Sequence, residues 1–198
     1  MRRFLPPNPA FHSTGVPMKE FPLSKAFQLI EPGPVLLLTT AHKGKANIMT
    51  VTWHTVMDFE PRIGCVISSG NYSFRALRLT HECVIAVPAV DIMDKVVDIG
   101  NCTGRVVNKF KAFSLTPVPA AKVRAPLIAE CLANIECVVL DACLVDKYNF
   151  FILQGVKAWI DPRRKERRTF HANGDGTFVL DGETRNLRKK MVKWVGYI

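Results

Sequence analysis

Two short stretches carry residue types from which this chain could build a ligand site: Asn47-Ile48-Met49-Thr50-Val51-Thr52-Trp53 and Ser68-Ser69-Gly70-Asn71-Tyr72-Ser73. Alternation along a strand sends Asn47, Met49, Val51 and Trp53 to one face and Ile48, Thr50 and Thr52 to the other. Backbone N–H and C=O groups of such a strand can pair with the polar edge of a flat heteroaromatic ring, while Met49 or Trp53 covers one of its faces. Strand propensity alone also accounts for Thr and Val here, so the stretch by itself leaves both readings open. The second stretch falls at a strand end, just before a helix-like run. Hydroxyls and N-terminal backbone amides at such a junction can meet a phosphate. The same residues serve equally as a loop and helix cap. Taken together, the two stretches suit a ligand with an aromatic ring at one end and a phosphate at the other.

Asn101-Cys102-Thr103-Gly104-Arg105 and Asn108-Lys109-Phe110 add small polar residues and two cations. Arg105 can clamp a phosphate in bidentate fashion and Lys109 can act on it as a point charge; a solvated helix face is the alternative. The chain has no GK[ST] P-loop and no GxGxxG. His54, His81 and His171 are isolated and sit in no Ser/carboxylate pattern that would suggest a triad. No two of the six cysteines have the CxxC spacing of a zinc site. The run Arg163-Arg164-Lys165-Glu166-Arg167-Arg168 reads as a solvated loop or as a dock for an acidic redox partner. No aromatic residues interleave it, as nucleic-acid binding would favour.

These groups need a scaffold, and 198 residues with 48% hydrophobic content suffice for one domain with a genuine core. A formal net charge of +10 favours anionic ligands or partners without choosing among them. Met1-Arg2-Arg3 leads into Pro6, Pro7 and Pro9 rather than an apolar run. The expectation is therefore a cytoplasmic protein with reduced core thiols, Cys102 being the one expected at the surface. No stretch approaches the ~20 apolar residues of a membrane span.

Residues 1–22 are Pro-rich and aperiodic and read as an extended arm; residues 23–198 read as the domain. A short helix is expected at Ser24–Ile30. Strands follow at Val35–Ala41 and Asn47–Val56 around the turn His42-Lys43-Gly44-Lys45, then at Ile63–Ser68 and Cys83–Val87. Helices are expected at Tyr72–Leu79, at Asp91–Ile99 with Asp91 as N-cap, and within Val106–Phe113. Thr116–Pro126 is a Pro-broken loop. Two long strands, Ile135–Val145 and Tyr148–Asp161, follow it, and Asn173–Gly176 turns into a strand at Thr177–Leu180. Strands dominate and do not alternate regularly with helices, which predicts an all-β antiparallel barrel with short peripheral helices.

The ordered series Asn47–Trp53, Phe59-Glu60-Pro61, Gly64–Ser68, Asn71-Tyr72-Ser73, Glu82–Ile85, Gly100–Arg105, Lys109-Phe110 and Leu115-Thr116-Pro117 resembles the flavoredoxins. These are flavin reductase-like members of the FMN-binding split barrels. The resemblance continues through Ala125–Ile128, Glu136-Cys137 and Val156–Trp159. It implies a six-stranded Greek-key split barrel that forms a homodimer and binds FMN non-covalently near the dimer interface. Asn47, Met49, Thr50, Val51, Thr52 and Trp53 are then expected at the isoalloxazine and ribityl chain. Ser68, Ser69, Asn71, Tyr72, Ser73, Arg105 and Lys109 are expected toward the phosphate, with Ser69-Gly70 standing where bulkier polar or basic residues are usual. The implied function is electron transfer between NAD(P)H, or a reduced partner protein, and FMN, with no protein acid or base required. A pure electron carrier without nicotinamide activity is the alternative, and a basic nucleic-acid-binding barrel a more distant one.

Overall fold

The computed structural model describes residues 18–30 and 33–191. Twelve strands and four short helices are found among them. In chain order they are β1 (Lys19–Phe21), β2 (Leu36–His42), β3 (Lys45–Val51), β4 (His54–Asp58), β5 (Arg62–Val66), α1 (Tyr72–Thr80), β6 (Glu82–Val87), α2 (Met93–Gly100) and α3 (Lys109–Ala112). Then come β7 (Pro117–Val118), β8 (Leu127–Ile128), β9 (Ala133–Asp141), α4 (Val145–Tyr148), β10 (Phe150–Ile160), β11 (Phe170–Ala172) and β12 (Phe178–Leu180).

The main sheet is antiparallel in the order β3-β2-β6-β9-β10-β5-β4, with β1 added along β10. Its two outermost strands, β3 and β4, are consecutive in the chain and separated only by Thr52-Trp53. The sheet therefore curls until its ends are joined by one bent segment, a barrel that is split at that bend. Side-chain alternation sorts the core accordingly. Leu36, Leu38, Val51, Ile63, Cys65, Ile85, Ile135, Phe151 and Leu153 fill the interior. Leu37, Ile48 and Ala86 point outward against Val96 and Ile99 of α2 and Phe110 of α3. Each fully buried Leu or Ile contributes about 1.5–3 kcal/mol, so this second cluster suffices to fix α2 and α3 on the outside of β2 and β3.

A third cluster lies beneath the Pro-rich crossing, where Val118, Val123 and Leu127 pack on Val84 and Trp159. Beneath it the carboxylate of Glu136, fully buried, accepts bonds from the amides of Ala121 (3.0 Å), Lys122 and Val123 (3.2 Å) and from Trp159 Nε1 (2.7 Å). A buried carboxylate is tolerable only with such a full complement of donors.

Several expectations are corrected. Residues 19–21 of the supposed arm form β1; the rest of the arm through residue 17 lies outside the described residues. The Asn47–Val56 strand is broken at Thr52-Trp53. Ser24–Ile30 is a 3-10 helix, Leu23–Leu29. The Val145–Tyr148 link is a helical turn ended by Asn149 in the left-handed region (φ 55°). Asp91 does not cap α2; its carboxylate binds Arg164 at 2.6 Å. Thr116–Pro126 carries β7, which pairs with β8. All six thiols are free and four are buried, but Cys143, not Cys102, is the exposed one.

Candidate functional site

The β2–β3 hairpin turns on Lys43 and Gly44, both at positive φ (50° and 75°), the type I′ geometry that suits the twist of paired strands. In such a two-residue turn His42 and Lys45 are the hydrogen-bonded pair, and bonded pairs alternate from there. Asn47, Met49 and Val51 thus spend their backbone groups on β2, while Ile48 and Thr50 turn theirs to the other side of β3. No strand among the described residues pairs with that side. An unpaired strand edge, partly covered by helices, is the first component of the site.

Side-chain ties hold the surrounding elements against this edge. Asn47 Nδ2 donates to Ser73 Oγ (2.8 Å), and Ser73, fully buried, fixes α1 to β3. Thr50 Oγ1 donates to the carbonyl of Val96 (2.6 Å) and fixes α2. Lys109 Nζ donates to the carbonyl of Ile99 at the C-terminal end of α2 (2.7 Å). The residue is only 5% exposed, and burial draws its pKa below the ordinary lysine value. At the start of α1, Asn71 is extended and makes no side-chain cap; its carbonyl accepts from the Phe74 amide (3.1 Å), and the Tyr72 and Ser73 amides lack an intrahelical acceptor.

Two adjoining cavities result. The inner one, about 140 Å³, lies among Asn47, Met49, Thr50, Asn71, Tyr72 and the 99–104 segment, with Lys109 at its wall. The outer one, about 420 Å³, extends toward the hairpin turn and is lined by His42, Lys43, Lys45, Ser69, Arg75 and Arg105. Asn47, Asn71 and Tyr72 border both. Gly104 stands where a Cβ atom would come within 2.6 Å of Asn47 Cγ and 2.7 Å of Tyr72 Cδ1, so the cleft closes here only over a residue without a side chain. Larger cavities lie elsewhere, about 470 Å³ beside the Pro-rich crossing and about 480 Å³ beside Phe59 and Pro61, but neither meets the free edge of β3.

The expected site residues divide into groups. Asn47, Met49, Thr50, Ser69, Asn71, Tyr72, Arg105 and Lys109 are brought together around the two cavities. Val51 borders neither cavity: its side chain is buried in the barrel interior and its backbone pairs with β2. Ser73 is fully buried, and its hydroxyl accepts from Asn47 Nδ2. Ser68, Thr52 and Trp53 border neither cavity; the Ser68 hydroxyl accepts from the Gly70 amide, and Trp53 is 72% exposed at the bend. Thr40, His42, Lys43, Lys45, Arg75, Gly100 and Thr103 join the lining without having been singled out as ligands. Only Gly100 and Thr103 had a sequence signal, as part of the Gly100–Arg105 motif.

The remaining candidates fall elsewhere. His54 Nε2 is bonded to the carbonyl of Pro34 (2.7 Å), and burial lowers its pKa. His171 lies between the carbonyl of Gly33 (3.1 Å) and Asp181 Oδ1 (2.8 Å). The basic run is partly neutralised, with Arg164 on Asp91 and Arg168 on Glu166. No cluster of metal-ligating side chains occurs among the described residues, and no helix there is long and apolar enough to cross a membrane.

With this geometry in hand, similarity to known proteins was traced. A family model described as "Flavin reductase like domain" matches residues 30–177. An uncharacterized protein of Pyrococcus abyssi is 32% identical over 129 residues, 65% of this chain and 74% of its own length. Among solved structures, the FMN-binding domain of a flavin reductases-like enzyme from Shewanella baltica superposes with a TM-score of 0.79 at 23% identity. That match covers 85% of this chain and 96% of the other. Flavoredoxin of Desulfovibrio vulgaris (Miyazaki F) gives 0.71 at 21% identity, covering 78% and 89%. These likenesses establish the split-barrel fold.

Proposed function

The chain belongs to the flavin reductase like domain family, and from that premise we propose that it is an FMN-binding redox protein of the flavoredoxin type. Electrons would pass between NAD(P)H, or a reduced partner protein, and FMN held non-covalently in the cleft beside β3. The observation that carries this reading is the free edge of β3 at Thr50, opening onto a cleft whose far end gathers cations. A ring with polar edge atoms needs backbone donors and acceptors, which this edge offers. A phosphate needs cations and amides, which Arg105, Lys109 and the start of α1 offer.

When bound, FMN supplies the redox chemistry, taking up a hydride and releasing electrons singly or in pairs. The protein's own part is to hold and orient. Thr50 would present main-chain groups to the ring edge, and Met49 would offer an apolar contact. Gly100 and Gly104 let the 99–105 segment approach the ribityl chain closely. Lys109 and Arg105 would neutralise the phosphate, and an anion beside Lys109 would offset the burial that lowers its pKa. No protein acid or base is assigned a step. Trp53 and Met57, 72% and 47% exposed, lie near the split and are assigned to a homodimer interface. Analytical ultracentrifugation of wild type and Trp53→Ala tests that assignment: a monomeric wild type rejects it.

Anaerobic titration of the FMN-loaded protein with NADH and NADPH separates a reductase from a pure electron carrier. Bleaching of the visible flavin bands by either nucleotide supports the reductase. If neither bleaches the flavin while a reduced redox protein does, the carrier reading replaces it.

A further inference from the structure

Past the β11–β12 hairpin the chain carries apolar and basic residues that neither the core nor the cleft uses. The hairpin itself is fixed. Phe178 packs edge-on against the buried Phe170 with ring centroids 6.0 Å apart, and Asp181 accepts from the Thr169 amide (2.9 Å) and hydroxyl (2.6 Å). Everything described beyond it is open to solvent. Residues 182–191 are all exposed, Leu187 at 57% and Met191 at 42%, and the 3-10 turn Arg188–Lys190 buries nothing. Val179 and Leu180 of β12 are exposed as well. Arg188, Lys189 and Lys190 hold no ion pair among the described residues, and Arg185 reaches only the exposed Glu183, at 3.9 Å. By contrast Arg62, Arg78, Arg124, Arg164 and Arg168 each hold a carboxylate.

The sequence gives these residues a helical period. At 100° per residue, Leu187, Met191, Trp194, Val195 and Ile198 fall within an arc of about 100°, with Val192 and Tyr197 flanking it. Arg185, Arg188, Lys189, Lys190 and Lys193 take the rest of the circle, and no Asp or Glu occurs from 184 to 198. Residues 192–198 lie outside the described residues, so their share of the pattern is one of sequence.

A stripe of this kind needs a cover that is apolar and anionic together. A second copy of this chain does not supply it, because each copy carries a formal +10 and the two segments would repel. An anionic lipid surface does. The cations meet its headgroups, the stripe enters the acyl boundary, and Trp and Tyr are the aromatic types enriched at that depth. A broad surface can also cover Val179 and Leu180, which a protein groove sized for one helix leaves in water.

We propose that the segment 185–198 binds an anionic lipid surface as a basic amphipathic helix lying in its plane, holding the barrel at a membrane without crossing it. The proposal goes beyond the FMN reading and stands without it.

The test is flotation of the full-length protein with vesicles of phosphatidylcholine alone, and with vesicles of phosphatidylcholine and phosphatidylglycerol in equal parts. Wild type is compared with Arg188→Gln/Lys189→Gln/Lys190→Gln and with Leu187→Ser/Met191→Ser. All five positions are exposed and outside the cleft, so thermal melts and FMN titrations should match wild type. Wild type is expected on the anionic vesicles and not on the neutral ones. Its affinity should fall at least about tenfold in the charge variant and about tenfold in the apolar variant. Tryptophan emission should shift to the blue on the anionic vesicles, and Trp194→Phe should lose that shift. A wild type that floats with neither vesicle overturns the proposal. So does an apolar variant that floats as wild type does while both bind soluble polyglutamate equally, which would assign the segment to an acidic protein.

Discussion

Replacing Gly104 by alanine is expected to damage the cleft and the fold together, by an amount the geometry sets. The added Cβ would stand 2.6 Å from Asn47 Cγ and 2.7 Å from Tyr72 Cδ1, whereas carbon atoms settle at about 3.5–4 Å. Something must move by about 1 Å. Asn47 is 5% exposed and tied to the buried Ser73 at 2.8 Å, so its retreat breaks that bond and strands a buried polar group. That costs about 1–3 kcal/mol; alternatively the 101–105 segment lifts away and the cleft widens. Alanine also restricts the unfolded chain, which returns about 0.4–1 kcal/mol. The net is a loss of about 1–2 kcal/mol, or about 3–6 °C in Tm for a domain of this size. FMN affinity should fall about tenfold, because the displaced wall is the one facing Tyr72 and Asn47. Thermal melts and fluorescence titrations read both effects. Gly70→Ala is the control, since its Cβ would meet only Ser68 Oγ at 3.7 Å. A Gly104→Ala protein that melts and binds FMN like wild type would falsify the assignment of this glycine as the closing point of the cleft.

Lys109→Ala should weaken FMN at least tenfold while changing riboflavin, which lacks the phosphate, by less than about threefold; equal losses in paired titrations would remove Lys109 from the phosphate. Glu136→Gln places an amide NH₂ where one carboxylate oxygen now accepts, opposing donors among Ala121, Lys122, Val123 and Trp159. A loss of about 1–3 kcal/mol is expected, with hydrogen exchange accelerated first in residues 117–126; unchanged protection there counts against the role. Acid should destabilise the C-terminal region. Glu166 is held at about 2 by hydrogen bonds from Arg168. Asp181 is also held below its ordinary 3.8, because bonds from Thr169 and His171 outweigh the burial that would raise it. Both folded values are depressed, so their stabilisation is complete above about pH 4.5 and is lost as pH falls through the folded values. Denaturant melts between pH 7 and pH 3 should show that decline, diminished in Asp181→Asn.

How much of this was legible in the sequence depended on the range of the interaction involved. The β2–β3 hairpin could be read locally, because Lys43-Gly44 between two β-branched runs leaves few other solutions. Tyr72 opening α1 was local too. β1 was hidden because three residues among prolines carry no periodicity; only the partner β10 makes them a strand. Asp91 looked like a cap until Arg164, 73 residues away, took its carboxylate. Within the candidate site, segments of the ordered motifs do line the two adjoining cavities, but alternation along β3 could not show which residues the barrel would swallow. Val51 faces the interior, Ser73 is spent on Asn47, and Trp53 stands out at the bend. The outer cations Lys43, Lys45 and Arg75 come from a turn and a helix that meet only in three dimensions, and no linear pattern joins them.

The central claim, that the cleft beside β3 holds FMN, is tested most directly by the visible absorption spectrum of the full-length protein. The spectrum is taken as purified and again after equilibration with FMN and removal of excess. The account predicts retained flavin bands at one FMN per chain, with the bands displaced from those of free FMN. A protein that is colourless as purified and still colourless after equilibration contradicts it.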